Sequence, residues 1–108
     1  MSKSNKINFI AGIFVAFAHE SITVDNTVNI LTKATYRDSA GDSAKRAIIT
    51  AEDAQMRYRY DGSSPSSTSG HIINPNDSLV ILGTTNIENF KIIRKGSTSG
   101  NIRVTYEI

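Results

Sequence analysis

Hydrophobic and polar residues alternate through positions 101–108. Ile102, Val104, Tyr106 and Ile108 fall on one side of an extended chain, and the polar residues between them fall on the other. A period of two is typical of a β-strand with one buried face. The pattern therefore predicts a strand here, with these four side chains directed toward a core.

Similar alternation, or a short run of apolar residues, recurs along the rest of the chain. The predicted strands cover residues 7–18, 22–24, 28–36, 45–54, 55–61, 72–73, 79–82, 86–94 and 101–108. Turn-forming Gly, Ser, Asn and Asp residues separate them, and no helix of convincing length emerges. The pattern predicts an all-β chain of about eight short strands in a single antiparallel β-sandwich with jelly-roll-like connections. A small closed barrel is the alternative.

The alternation also predicts which side chains face the core. These are Val28, Ile30, Thr32, Ala34 and Tyr36 in strand 28–36, Ala47, Ile49 and Ala51 in strand 45–54, and Met56, Tyr58 and Tyr60 in strand 55–61. Arg57 and Arg59 alternate with the tyrosines, so they are predicted on the outer face. Residues 79–82 are apolar at every position, which predicts a strand covered on both sides.

The apolar stretch at residues 7–18 permits three interpretations. Lys3 and Lys6 precede it and A-F-A ends it, as in a secretory signal. A transmembrane helix needs about twenty apolar residues, more than this stretch contains. Its alternation instead favours a strand. We therefore expect residues 1–21 to form an N-terminal strand or arm, packed on the domain formed by residues 22–108 or on a neighbour.

Composition narrows the range of partners. The chain has 108 residues, a net charge of +2 and no cysteine. This length is sufficient for one domain with a single core, and the lack of cysteine excludes disulfides and thiolate metal sites. No run of five like charges occurs, so we expect neither a nucleic-acid partner nor a membrane.

No motif indicates catalysis or a bound metal. The chain lacks the G-x-S-x-G elbow of serine hydrolases. Two distant histidines, His19 and His71, make a weak case for zinc. The spacing of Asp38 and Asp42 faintly resembles a calcium loop, but the required Gly and Glu are missing. We therefore predict no catalytic residue, no metal ligand, no cofactor and no enzymatic activity.

The cluster of arginine and tyrosine at residues 57–60 is the most distinctive local feature. Both residue types are enriched in protein interfaces. Alternation places the arginines and tyrosines on opposite faces, so they cannot form one stacking platform for nucleic acid. The simplest interpretation is that the arginines pair with acids such as Asp61 or Glu52, and a protein contact is the second. The candidate interface residues are Arg57, Arg59, Phe9 and Phe14.

Six segments between residues 47 and 107 carry a family resemblance. They are A-I-I-T-A-E-D-A at 47–54, R-Y-R-Y-D-G at 57–62, P-S-S-T-S-G-H at 65–71, D-S-L-V-I-L-G at 77–83, N-I-E-N-F-K-I-I-R at 86–94 and V-T-Y-E at 104–107. In their order and spacing they resemble a type of small β-rich structural protein from tailed bacteriophages and prophages. The resemblance carries no catalytic residue across.

The resemblance implies a non-enzymatic virion protein assembled in the host cytoplasm. Its expected partners are other virion proteins, namely capsid or tail subunits, and further copies of itself. A multi-copy capsid decoration or cement protein is the leading expectation, and a head–tail connector or tail component is the alternative. A small carbohydrate-binding sandwich is a further hypothesis; it needs an exposed aromatic platform, and its candidates Tyr36 and Tyr60 are both predicted to face inward.

Overall fold

The computed structural model describes residues 14–108, which form two four-stranded antiparallel sheets. The strands are β1 (Ala16–Val24), β2 (Asn29–Ile30), β3 (Arg46–Glu52), β4 (Met56–Arg59), β5 (His71–Ile73), β6 (Ser78–Leu82), β7 (Lys91–Arg94) and β8 (Gly100–Glu107). Two short helices occur in the same range, α1 (Lys33–Tyr36) and α2 (Thr84–Asn89). The predicted all-β sandwich of about eight strands is confirmed.

The order of the strands is that of a jelly roll. The first sheet has the order β1-β8-β3-β6, and the second sheet has the order β2-β7-β4-β5. The first strand thus pairs with the last, the second with the seventh, the third with the sixth and the fourth with the fifth. Such pairing arises when a long antiparallel ribbon wraps into two facing sheets. The predicted jelly-roll connections are therefore confirmed.

The core lies between the two sheets. The fully buried side chains include Ala47, Ile49 and Ala51 of β3 and Ile102, Val104 and Tyr106 of β8. These positions alternate with exposed or half-buried ones, so one face of each strand is removed from water. Each buried Ile or Val contributes roughly 1.5–3 kcal/mol through burial. The inward faces predicted for β3 and β8 are confirmed, with Ile108 only half-buried.

The strand predicted at residues 28–36 is wrong beyond its first part. Only β2 is extended, and the helical turn α1 follows it. Ile30 is 61% exposed whereas its neighbour Leu31 is buried. The turn is closed by the Tyr36 amide, which donates to the Thr32 carbonyl at 3.0 Å. The helical turn brings Tyr36 into the core but interrupts the two-residue period between Ile30 and Tyr36. The two side chains therefore do not share a face, and the inward orientation predicted for Ile30 is wrong.

The strand predicted at residues 86–94 is also wrong in its first half. Helix α2 occupies that half, and only β7 is extended. Ile87 and Phe90 are both buried, and their three-residue spacing is helical. Gly83, with a φ of 99°, permits the sharp turn between β6 and α2.

The described part of the N-terminal segment belongs to the first sheet. Strand β1 continues through residues 21 and 22 and pairs with β8 along its length. The Val15 amide donates to the Ile108 carbonyl at 3.0 Å, and the Ile108 amide donates back at 2.9 Å. Residues 1–13, which include the candidate interface residue Phe9, lie outside the described residues.

Candidate interaction surface

Together with β1, strand β6 is one of the two edge strands of the first sheet. It pairs with β3 on one side, and no strand among residues 14–108 pairs with its other edge. Val80 is 50% exposed and Leu82 is 58% exposed. The prediction that residues 79–82 are covered on both sides is therefore wrong for this chain alone, because the outer face of the first sheet is open there.

The two exposed side chains belong to a larger apolar patch. Val80 lies opposite Ile48 in the β3–β6 ladder, and Leu82 lies opposite Arg46. Paired residues share a face, so all four side chains emerge on the outer side of the first sheet. The Phe14 ring lies over Arg46, with its centroid 4.2 Å from the guanidinium carbon. We call the surface formed by Phe14, Ile48, Val80 and Leu82 the apolar patch.

The other end of the same outer face is polar. The Arg103 guanidinium forms an ion pair with Glu52 at 3.2 Å, and the Asn101 amide donates to an Asp53 oxygen at 3.1 Å. Arg46, at the apolar end, forms an ion pair with Glu107. Within residues 14–108 the outer face thus has a polar part around Arg103 and an apolar part along β6, and an apolar partner would cover the second part.

A groove follows the open edge of β6. It has a volume of about 260 Å³ and is lined by residues 79–82 together with Tyr58, Tyr60 and Asn86. The groove gives access both to the free backbone edge and to apolar side chains. An extended segment from another molecule could therefore pair with the edge, which is a common way for proteins to bind a strand.

The predicted interface arginines have partners within the chain. Arg59 donates to Asp61 at 2.5 Å and 3.1 Å, as the sequence predicted, whereas Glu52 pairs with Arg103 instead. The hydrogen bonds from Arg59 lower the pKa of the Asp61 carboxyl to about 2. Arg57 donates to backbone carbonyls of the loop at residues 62–70.

Arg57 and Arg59 do not form one surface with Phe14. The arginines belong to β4 in the second sheet, whereas Phe14 lies over Arg46 of the first sheet. The candidate residues within the described range therefore fall into two separate groups. Sequence reasoning missed Ile48, Val80 and Leu82, although the run of apolar residues at 79–82 was the signal for them.

A cleft lies beside the end of β4. It has a volume of about 530 Å³ and is lined by Arg59, Tyr60, Asp61, Ser69, Gly70 and His71. Tyr60 follows the last residue of β4 and is 40% exposed, so its predicted inward orientation is wrong. Its ring stacks on that of Tyr58, with centroids 6.4 Å apart. We call this cleft the tyrosine cleft.

The tyrosine cleft is anchored to the core by aromatic contacts. The Tyr58 ring lies 5.7 Å from the ring of buried Phe90 and 5.4 Å from that of His71. Burial raises the pKa of the Tyr58 hydroxyl above the ordinary tyrosine value of about 10. A ring next to an ion pair and an imidazole offers stacking and hydrogen bonds to a small polar ligand.

The described residues offer no grouping that indicates a metal centre. Among residues 14–108, no three His, Asp or Glu side chains are placed together to hold an ion. The Asp38 carboxylate instead accepts hydrogen bonds from the Ala40 and Asp42 amides, both at 2.9 Å, and so stabilises its own loop. Within the same range, no helix has the length and hydrophobicity required to cross a bilayer.

Comparisons with protein-family models, curated proteins and solved structures found no match to this chain. The resemblance of residues 47–107 to phage structural proteins therefore stays a prediction based on the six segments. The apolar patch and the tyrosine cleft are the two described surfaces that suggest a binding function.

Proposed function

We propose that this chain is a non-enzymatic structural protein of a bacteriophage virion that acts through repeated protein–protein contacts. A multi-copy decoration or cement protein on the capsid is the form we favour, and a head–tail connector or tail component is the alternative. The observation that carries the proposal is the apolar patch beside the open edge of β6. Edge strands with exposed apolar side chains are usually protected or covered, so a partner surface is the natural explanation.

The size of the apolar patch suits a contact that is repeated many times. A fully buried aliphatic side chain contributes roughly 1.5–3 kcal/mol, and Val80 and Leu82 are already half-covered in the single chain. One such contact is therefore weak. In a symmetric assembly many weak contacts act together, and their combined strength far exceeds that of one.

The architecture supports the proposal as an analogy only. Jelly rolls occur in viral capsid domains and also in lectins. Because one fold serves many functions, the fold does not choose between them. The resemblance of residues 47–107 to phage structural proteins favours the virion role.

The test is to look for the protein in particles. Virions from the phage or prophage that encodes the chain would be purified, the protein quantified by mass spectrometry, and its position determined by electron cryo-microscopy. Placement around fivefold and sixfold positions of the shell supports a decoration protein, and a single ring supports the connector or tail alternative. Finding the protein only as free molecules, never in particles, contradicts the proposal.

A matched pair of variants links the test to the apolar patch. Leu82→Glu places a charge in the patch, whereas Thr23→Glu places one at the polar end of the same outer face. We expect Leu82→Glu to be depleted from particles and Thr23→Glu to be retained, with both proteins folded. Equal retention of the two variants would show that the patch does not hold the protein in the particle.

A second candidate function is carbohydrate binding, and the observation that favours it is the tyrosine cleft. Sugars bind to proteins by stacking on an aromatic ring while polar neighbours hydrogen-bond their hydroxyls, and Tyr60 with Arg59, Asp61 and His71 provides both. A glycan array should show saturable binding that Tyr60→Ala abolishes and Tyr60→Phe largely retains. If no glycan binds, or if Tyr60→Ala binds as the parent does, this candidate is rejected.

A further inference from the structure

The N-terminal segment joins the described part of the chain at the apolar end of the outer face. Val15 is held against Ile108 by two backbone hydrogen bonds, and the Phe14 ring lies over Arg46. Arg46 lies opposite Leu82 in the adjacent edge strand. The described chain therefore begins next to the apolar patch.

The sequence of that segment matches what an open edge requires. Residues 7–13 read I-N-F-I-A-G-I, with apolar residues at 7, 9, 11 and 13 and no charge. Seven extended residues span about 23 Å, and the five residues of β6 span about 17 Å. The segment is therefore long enough to pair with the whole of β6, and its apolar side chains can pack beside the exposed Val80 and Leu82.

The same chain cannot provide this pairing along all of β6. In the first sheet β8 and β3 lie between β1 and β6, so a strand added to the open edge would lie about 19 Å from β1. Val15 is already fixed beside β8, and the two residue steps from 13 to 15 span at most about 7 Å. A second copy has no such restriction.

We propose that residues 7–13 of one copy add a strand to the open edge of β6 in a second copy, where their apolar side chains pack beside Val80 and Leu82. This inference deepens the proposed function, on which it rests, by naming another copy of this chain as the partner of the patch. The exchange joins neighbours through backbone hydrogen bonds as well as apolar contact. It also uses the groove lined by residues 79–82.

The absence of cysteine from the chain makes a direct test simple. One copy would carry Phe9→Cys, and the other would carry Val80→Cys and a tag of different size. After mixing and mild oxidation, we expect a disulfide-linked pair of mixed size on a non-reducing gel. Phe9→Cys mixed with Thr23→Cys, at the other end of the outer face, is the matched control and should yield little of the mixed pair. Equal cross-linking to Val80→Cys and Thr23→Cys overturns the proposal.

The double variant Phe9→Cys/Val80→Cys distinguishes exchange from pairing within one molecule. At a protein concentration at which the parent self-associates, exchange predicts disulfide-linked multimers and few internally closed monomers. A population of internally closed monomers, with no mixed pairs in the first experiment, overturns the proposal.

Sedimentation of the full-length chain gives an independent measure. Phe9→Asp and Leu82→Asp should each weaken self-association at least about tenfold, whereas Thr23→Asp should leave it unchanged. If Phe9→Asp and Leu82→Asp associate as the parent does, the exchange is absent.

The failure of this inference can be told apart from failure of the proposed function. Free protein that exchanges strands but is missing from virions contradicts the virion role alone. Protein that is present in virions but shows no mixed cross-link contradicts the exchange alone.

Discussion

The Tyr106 hydroxyl donates a hydrogen bond of 2.5 Å to Oε2 of Glu20 and thereby joins the side chains of β8 and β1. The same carboxylate accepts from the Thr32 hydroxyl at 2.7 Å and from the Thr32 amide at 3.2 Å. One half-buried acid thus connects the first sheet to the segment that follows β2. The Tyr106 ring also packs edge-on against Tyr36 at 6.1 Å.

Removing the Tyr106 hydroxyl should destabilise the fold without changing its shape. Tyr106→Phe keeps the buried ring but deletes the donor to Glu20, and we expect the free energy of unfolding to fall by about 1–3 kcal/mol. Urea denaturation measures this change. Tyr60→Phe, at a 40% exposed position, is the control and should change stability by no more than about 0.5 kcal/mol. Equal stabilities of the two variants would contradict the role of the hydrogen bond.

Stability should decrease in alkali. Burial, and then the hydrogen bond to Glu20, raise the pKa of Tyr106 far above the value of about 10 for an unfolded tyrosine. Below pH 10 both states keep the proton, so the stabilisation is fully present. Above pH 10 only the unfolded state releases it, and the free energy of unfolding falls by up to about 1.4 kcal/mol per pH unit from this group.

Urea denaturation between about pH 8 and pH 12 measures this pH dependence, and Tyr106→Phe should show a shallower fall. Burial also raises the pKa of Tyr36 and Tyr58, so part of the decline should persist in that variant. If the free energy of unfolding falls with pH equally steeply in parent and variant, Tyr106 does not contribute to the pH dependence.

Two substitutions to aspartate in β8 should differ sharply in their effect on stability because they lie on opposite faces of the strand. Tyr106→Asp places an unpaired carboxylate in the core, which costs several kcal/mol, and we expect the protein not to fold. Arg103→Asp loses an exposed ion pair with Glu52 and should cost about 1 kcal/mol or less. Thermal melts and soluble yield compare the two variants. Similar melting temperatures would contradict the assignment of Tyr106 to the buried face of β8 and of Arg103 to its exposed face.

Gly100 should not tolerate a side chain. A Cβ built there lies 2.8 Å from the sulfur of buried Met56 and 3.2 Å from the Glu52 carbonyl oxygen. Gly100→Ala should therefore destabilise the protein by about 1–3 kcal/mol through overpacking. A Cβ at Gly96 has no neighbour within 4 Å, so Gly96→Ala is the control and should be neutral or slightly stabilising. Chemical denaturation of both variants checks the difference.

Arg57 should hold the loop at residues 62–70 rather than bind a partner. Its guanidinium donates to the Gly70 carbonyl at 2.8 Å and to the Ser67 carbonyl at 3.0 Å. In Arg57→Ala we expect faster amide hydrogen exchange at residues 66–70, because the loop opens more often. Arg59→Ala removes only the ion pair with Asp61 and should leave that exchange unchanged. Unaltered exchange in Arg57→Ala would instead favour an interface role.

The fold was predictable where one face of a strand is buried. In β3 and β8 the two-residue period follows directly from burial, so both the strands and their facing were predictable. Helices α1 and α2 were not, because four and six residues are too few to display a helical period. Contacts made by Tyr36, Ile87 and Phe90 with distant parts of the chain stabilise them.

The candidate surfaces were less predictable for a different reason. The pairing of Arg59 with Asp61 is local, so alternation and charge sufficed to suggest it. The apolar run at residues 79–82 indicates a strand with apolar side chains on both faces, but sequence alone does not show whether the outer face is covered by the same chain, by a partner or by neither. The exposure of Tyr60 depends on where β4 ends, and element boundaries are poorly encoded by local pattern.

The placement of β8 between β1 and β3 has a consequence for how the molecule is made. The earliest and latest described strands must meet before the first sheet closes, so neither half of the polypeptide should be an autonomous folding unit. Pairing strands that are so far apart in sequence is slow. Folding intermediates with an incomplete sheet therefore expose unpaired strand edges that can aggregate. From this strand order we expect the chain to need chaperones during synthesis. We also expect the folded protein to unfold in a single cooperative transition.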